Sequence, residues 1–370
     1  MIKLLIPDLP TTDQIKPWLM EIDQQCWYTN FGPLVRNFES SVQRRLSCIA
    51  QSGAEVVSVS SGTLALELAL RLLKLPRGAK VLLPSFNFPA AAHVILNSSL
   101  TPVFSEVDPD LWVLTPDIAR EALKHTHVDA IIPTAAFGHP LQVEAWDDLT
   151  ESTQIPVIID AAAAFGYQQV GTRTTVVFSL HATKPFGIGE GGLIASADKS
   201  LIERARKASN FGYDNHQIED FGLNAKMSEY HAAVALAQLE RWPDIQETRS
   251  RLWALYGEAL QQVPGVVLPT EFYARPLSVL QVRLPVDAKP IARHLSAREI
   301  ETRRWYCPPL HQKTAFQQHE CIGLSGQKNL DFTDELARNS LGLPFHTSLL
   351  TEDIALICNS LAEILADTDK

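Results

Sequence analysis

The sequence predicts an α/β fold, a mainly parallel sheet with helices on both faces, followed by a smaller α+β domain. Three observations carry that prediction. Apolar runs alternate with helix-spaced patterns in a βαβ rhythm up to about residue 200. Two of the runs, "DAIIPTAAFG" (129–138) and "PVIIDAAAAFG" (156–166), are almost continuously apolar, as parallel strands covered on both faces are. At 370 residues the chain is long enough for one large domain and a lesser one, each with its own core. The division is expected at 245/246, with the N-terminal segment and residues up to 245 in the large domain and residues 246–370 in the small one.

The elements follow in order. "EVVSVSSG" (55–62) reads as a strand entering a turn. "TLALELALRLLKL" (63–75) has Leu and Ala at helical spacing, and Ser61 can cap it. "KVLLPSFNFP" (80–89) is a strand and turn, "AAAHVILNSS" (90–99) a helix, and "TPVFSEVD" (101–108) a further strand. "TTVVFSL" (174–180) and "LIASAD" (193–198) are two more strands. From "MSEYHAAVALAQLERW" (227–242) a long helix leads away into the mixed C-terminal region. There is no internal repeat and no low-complexity linker.

Composition narrows the function. Hydrophobic residues make up 46% and charged residues 20%, the balance of a soluble globular enzyme. A net charge of −10 argues against a general nucleic-acid binder, although a local cluster such as Arg303-Arg304 can still meet an anionic substrate. The five cysteines, at 26, 48, 307, 321 and 358, are odd in number and dispersed, without a C-x-x-C. That is the pattern of reduced thiols in a cytoplasmic protein, with neither a disulfide framework nor a metal site. "MIKLLIP" is too short and too soon broken by proline for a signal peptide, and no apolar run approaches a membrane span.

"FSLHATKPFGIGEGG" (178–192) contains a literal G-x-G-x-x-G at Gly187, Gly189 and Gly192. A dinucleotide loop needs these glycines to follow a strand and open a helix. Here another strand follows, so the glycines are expected to make a tight strand–turn–strand that leaves Lys184 in a partly enclosed loop.

Ligands of open α/β sheets bind at the carboxyl ends of the strands, and three strand ends carry chemistry. "SSGT" (60–63) offers small residues and backbone N–H groups at a helix start, a site for phosphate. Asp160 ends "VIID", and Lys184 follows a third strand. Each has a plain structural reading when taken alone: a capped turn, a satisfied aspartate, a surface lysine. Together they match the anchor, the pyridinium partner and the aldehyde trap that pyridoxal phosphate requires, since a buried lysine is a nucleophile able to form a Schiff base.

With those residues in place, the chain resembles the DegT/DnrJ/EryC1/StrS family of sugar aminotransferases. The resemblance runs through "YTNFGPLVRNFE" (28–39), "SSGTLALELAL", "LLPSFNFPAAA", "TPVFSEVDPD", "AAFGHP", "VIIDAAAAFG", "FSLHATKPFGIGEGG", "FGLNAKMSEYHAAVALAQLERW" and "LGLPFHTSL" (341–349). It implies the type I pyridoxal-phosphate fold, similar to aspartate aminotransferase. It implies that Lys184 is the Schiff-base lysine and that Asp160 meets the pyridine nitrogen. Phe88 matches the aromatic residue stacked on the ring, and Gly62, Thr63 and Ser179 match phosphate contacts. Asn224 matches an asparagine reaching the phosphate from the neighbouring subunit, so a homodimer is implied. Two positions depart from the family pattern: Ala163 stands where Gln or His is usual, and Lys226 where Arg is common.

The resemblance further implies a ping-pong transamination from glutamate to a keto-sugar nucleotide. Candidate substrate contacts are Thr29 and Asn30 in "TNFG", His181, and Arg303, Arg304, Tyr306 and His311 in "RRWYCPPLH" (303–311), where aromatic faces and cations suit a base or pyrophosphate. The paired arginines before an aromatic pair look like the branch that aminates C4 of a dTDP-4-keto-6-deoxyhexose. Amination at C3 and a non-catalytic regulatory paralogue stay open. The dehydratase relatives carry histidine in place of the lysine retained here as Lys184.

Overall fold

The computed structural model describes residues 1–46, 53–214, 217–218 and 220–368; Cys48 lies outside them. The first half comprises α1 (Thr12–Gln25), α2 (Pro33–Gln43), β1 (Glu55–Val59), α3 (Gly62–Arg71), β2 (Lys80–Pro84), α4 (Ala90–Asn97), β3 (Thr101–Ser105), α5 (Pro116–Leu123) and β4 (Ala130–Ile131). Next come α6 (Val143–Thr153), β5 (Ile158–Asp160), β6 (Thr175–Ser179), β7 (Gly192–Ser196), α7 (Lys199–Ala208) and the short hairpin strands β8 (Tyr213–Asp214) and β9 (Gln217–Ile218). The chain ends with α8 (Glu229–Leu260), β10 (Leu280–Arg283), α9 (Ala288–Ala297), β11 (Cys321–Ile322), α10 (Asp331–Asn339), β12 (Ser340–Leu343) and α11 (Thr351–Thr368).

The central sheet runs β1-β7-β6-β5 on one side and β4-β2-β3-β11 on the other, and parallel bridges Ile131–Val157 and Thr134–Asp160 join the two halves. All neighbours are parallel except β7, which is antiparallel to both β1 and β6. Residues alternate between the faces, as the two-residue period of a strand demands. Val176 and Phe178 of β6 join the cluster under α2, α6 and α8, while Val177 joins the one under α3, α4 and α7. A third cluster gathers the second half of α8 with β10, α9, β12 and α11, and Ile2 packs against it.

Two elements differ from the sequence reading. The apolar runs at 129–138 and 156–166 give strands of only two and three residues. Pro133 has no N–H to extend the ladder, and the chain beyond it turns through Phe137, whose φ is 57°. The long helix expected to lead away from 227–242 is present as α8, which passes through Pro243 to Leu260. Its start is sharply defined, because the Ser228 side chain accepts the His231 N–H at 3.2 Å.

Candidate active site

The carboxyl ends of β1, β5 and β6 build one corner. After β1, Ser61 caps α3 by accepting the Leu64 N–H at 3.2 Å, so the first amides of the helix face the strand ends. Gly62 lies so close to the end of β6 that a Cβ there would fall 2.6 Å from Ser179 Cβ. Only glycine lets the helix start and Ser179 meet, and their meeting forms a cradle in which Thr63, exposed on the first turn, can join.

Asp160 ends β5, 8% exposed. Its backbone is clamped on both sides, its N–H to Pro133 O and its carbonyl to the Ala135 N–H, each at 2.9 Å. Its carboxylate accepts the Ala162 N–H at 3.1 Å. Burial pushes this carboxyl up from the usual aspartate range, while the Ala162 N–H and the Lys184 charge pull it back. Lys184 shows the mirror image: burial holds its ammonium below the usual lysine range and the Asp160 charge opposes that. An amine so placed reaches its neutral, nucleophilic form more readily than a surface lysine.

The loop carrying Lys184 settles the glycine question. β6 and β7 pair antiparallel on either side of it, and no helix opens within it. Ala182 N–H to Gly189 O at 2.8 Å, Ile188 N–H to Leu180 O at 2.9 Å and Lys184 N–H to His181 O at 2.8 Å hold the turn shut, with Gly189 at φ 103°. Gly187 and Gly189 serve the turn, Gly192 opens β7, and the turn leaves Lys184 half-buried.

Phe88 follows β2 and is 57% exposed. Asn87 sets it by accepting the Phe88 N–H at 2.7 Å and donating to Thr134 Oγ1 at 2.8 Å, beside the bridge to Asp160. Tyr306 comes in from the second half of the chain. Its ring stacks on Phe137 at 4.9 Å and meets Phe86 edge-on at 5.1 Å. Burial pushes its phenol up, with the Asp160 charge adding to the effect. Tyr306 is thus held by Phe86 and Phe137, within reach of the Asp160 charge.

The other candidates are more dispersed. His181 turns to its own loop, with Nδ1 2.9 Å from Thr183 Oγ1 and Nε2 3.7 Å from Glu190. Arg303 is exposed, its guanidinium 4.7 Å from the Trp305 ring centre. Arg304 is tied to the Arg338 carbonyl at 3.2 Å and to Asp287 at 3.6 Å. His311 bridges Ser85 Oγ, 2.7 Å from Nδ1, and Asp334, 3.2 Å from Nε2. Asn224 is exposed, and Lys226 donates to its Oδ1 at 2.9 Å and to that of Asn210 at 2.8 Å. Thr29 and Asn30 sit exposed in the loop before α2. Sequence reasoning missed Asn87 and Ser85. Their signal was faint: polar residues next to buried Phe86 at a strand end.

An anion cradle, a buried carboxylate and a buried amine at one sheet end fit the phosphate, ring nitrogen and aldehyde of pyridoxal phosphate. The closeness of Gly62 to Ser179 is the sharpest part of that fit, because any larger residue would fill the cradle. Among the described residues no cluster of three or more His, Cys, Asp or Glu could hold a metal ion, and no helix is long and apolar enough to cross a membrane.

A model of the DegT/DnrJ/EryC1/StrS aminotransferase family matches residues 11–362. The dTDP-4-amino-4,6-dideoxy-D-glucose transaminase of Shigella dysenteriae is 30% identical, over 97% of this chain and 97% of that protein. Among solved structures, a Bacillus cereus ATCC 10987 protein assigned as a PLP-dependent aminotransferase superposes with a TM-score of 0.90 at 30% identity, covering 97% of this chain and 99% of the other. DesI, solved in the presence of its TDP-sugar product, superposes with a TM-score of 0.87 at 26% identity, covering 100% and 96%. The chain belongs to the DegT/DnrJ/EryC1/StrS aminotransferase family, with the type I fold and the pyridoxal-phosphate dependence that go with it.

Proposed function

We propose that the protein moves an amino group from L-glutamate to C4 of a dTDP-4-keto-6-deoxyhexose, giving a 4-amino-4,6-dideoxyhexose for cell-surface polysaccharide or glycoside synthesis. The observation that carries the transamination is the buried Asp160–Lys184 pair beside the Gly62–Ser179 cradle. The choice of sugar is supported by the names of two relatives, a dTDP-4-amino-4,6-dideoxy-D-glucose transaminase and a protein with a TDP-sugar product.

Pyridoxal phosphate, when bound, supplies an electron sink for the carbon that carries the transferred amine. The chain does the rest. The amides of Gly62 and Thr63 and the Ser179 hydroxyl would hold the phosphate, and Phe88 would pack on the ring. Asp160, its ionised form favoured by the Ala162 N–H, would accept a hydrogen bond from the ring N–H and hold that proton in place. Lys184, favoured as a neutral amine by burial, would take the proton from the α-carbon of glutamate and return it to the carbon on the other side of the transferred nitrogen, two bonds away. The reverse steps then deliver the amine to the sugar. Arg304 is already engaged with Asp287 and Arg338, so the pyrophosphate falls to Arg303, with Tyr306 and His311 on the approach. The test is NMR of the product formed from nucleotide-linked 4-keto and 3-keto sugars with glutamate. Nitrogen on C4 is expected. Nitrogen on C3, or no reaction with any 4-keto sugar, overturns the choice of carbon.

The active unit is proposed to be a cytoplasmic homodimer. The exposed Tyr28 and Tyr230 stack at 6.2 Å, and exposed Phe211 lies against Lys226 next to a hairpin bearing exposed Tyr213 and Ile218. Exposed apolar side chains such as these are what a second copy covers. Asn224 is bonded to Lys226, the residue against Phe211. The described cysteines are free thiols, in keeping with a reducing compartment. Light scattering is expected to give a dimer, and Asn224→Ala to weaken cofactor binding about tenfold, the loss of one charge-assisted hydrogen bond. A fully active monomer would refute the assignment.

A further inference from the structure

Residues 27–32 enter α2 through a constrained backbone. Asn30 and Phe31 both lie in the left-handed region, with φ 62° and 57°. Consecutive non-glycine residues persist there only where their surroundings hold them. Trp27 Nε1 donates to Thr29 O at 2.6 Å, Arg36 Nε to Phe31 O at 2.7 Å, and the Glu229 N–H to Tyr28 O at 3.0 Å. Arg206 covers the Phe31 ring at 5.1 Å.

The hub is Glu229, 1% exposed at the start of α8. Its Oε2 accepts the Leu34 N–H at 2.7 Å and its Oε1 the Val35 N–H at 3.1 Å, satisfying two first-turn amides of α2. Gly32 packs so closely that a Cβ would fall 2.6 Å from Glu229 Cδ. Burial pushes the carboxyl up and the two amides pull it back. A serine or aspartate at the N-cap would do this locally. Here the cap comes from a helix 195 residues further along the chain. That helix start is itself fixed to the cradle strand, through the Val59–Lys226 bridge and the Ser60 N–H to Ala225 O bond at 2.8 Å. The loop thus takes its position from the cradle, with the Thr29 and Asn30 side chains left exposed.

We propose that Glu229 is a positioning residue for the nucleotide-sugar half of the reaction. It locks residues 29–31 so that the Thr29 hydroxyl and the Asn30 carboxamide form a preshaped polar subsite for the hydroxyls and phosphate oxygens of that substrate. The proposal rests on the nucleotide-sugar reading above. A subsite shaped in advance lowers the ordering cost of binding, and glutamate makes no use of it.

The test separates the two half-reactions of the holoenzyme: bleaching of the visible absorbance by glutamate alone, and its return on adding the keto-sugar nucleotide. Glu229→Gln keeps the shape but puts an amide NH2 against a backbone N–H. It is expected to raise KM for the sugar nucleotide roughly tenfold while glutamate bleaching and cofactor affinity hold. Asn30→Gly, at an exposed position where glycine relaxes the backbone, is expected to raise the same KM severalfold at unchanged Tm. Equal slowing of both halves by Glu229→Gln, or an unchanged KM in both variants, overturns the inference alone. A wild-type enzyme that takes amine from glutamate but passes it to no nucleotide sugar overturns the inference together with the reading beneath it.

Discussion

Lys184→Ala is expected to reduce amine transfer on the order of 10⁵-fold or more, to the limit of detection. In the proposed mechanism the residue has two duties that no neighbour can assume. Its primary amine can form a carbon–nitrogen double bond with an aldehyde, and once released it can carry a proton between the two carbons that flank the transferred nitrogen. His181, three residues earlier, cannot form that bond with an imidazole, and its nitrogens already face Thr183 and Glu190. The fold should survive. Burial disfavours the lysine charge, and removing it relieves that cost while depriving Asp160 of a stabilising cation. The two effects oppose each other, so Tm should move by no more than roughly 2–4 °C, the equivalent of about 1 kcal/mol. Steady-state transfer, the visible absorbance of the purified protein and a thermal melt together check this. Transfer at the wild-type rate by a folded Lys184→Ala protein would sink the catalytic assignment.

What was legible in the sequence was local. Lys184, Asp160 and the "SSGT" turn announce themselves because each stands at the end of an apolar run, and parallel sheets gather such ends along one edge. The turn chemistry of Gly187, Gly189 and Gly192 was readable for the same reason, since the strand that follows lies only a few residues away. The supporting contacts were not readable, because they join distant segments. Glu229 reaches back to Leu34 and Val35, Tyr306 comes from the second half to pack on Phe86 and Phe137, and His311 closes on Ser85 across 226 residues. No periodicity records such meetings. The long helix leading away from 227–242 was legible, but its end was not: α8 runs past Pro243 to Leu260, packed against α1, α2 and α11. The strands near 130 and 158 fell short because an apolar run reports burial, and burial continues into the turns that bear the site.

The second large effect is expected at Asp160. Asp160→Asn preserves volume and can still accept the Ala162 N–H, so the strand end should keep its shape. What it loses is charge. A carboxylate at hydrogen-bond range keeps a ring nitrogen protonated, and that proton lets the ring draw electrons from the α-carbon. A neutral carboxamide leaves the nitrogen unprotonated or donates to it, and the pull is lost. One preorganised electrostatic group of this kind is worth about 10²–10³-fold in rate, and here it acts in a desolvated corner where little water can screen the change. Both half-reactions should slow together, because both pass through the same electron demand, in contrast to the one-sided effect expected of Glu229→Gln. The protein must also hold Asp160 ionised against its own burial. Before cofactor binds, the Lys184 charge and the Ala162 N–H oppose that burial; once the lysine amine is neutral, the Ala162 N–H and the ring N–H would take over that support. Single-turnover bleaching by glutamate and its reversal by the keto-sugar nucleotide measure the two halves directly. A loss of less than about fivefold in both would mean that another group holds the ring nitrogen, and Tyr306, the phenol that senses the Asp160 charge, would be the first residue to examine.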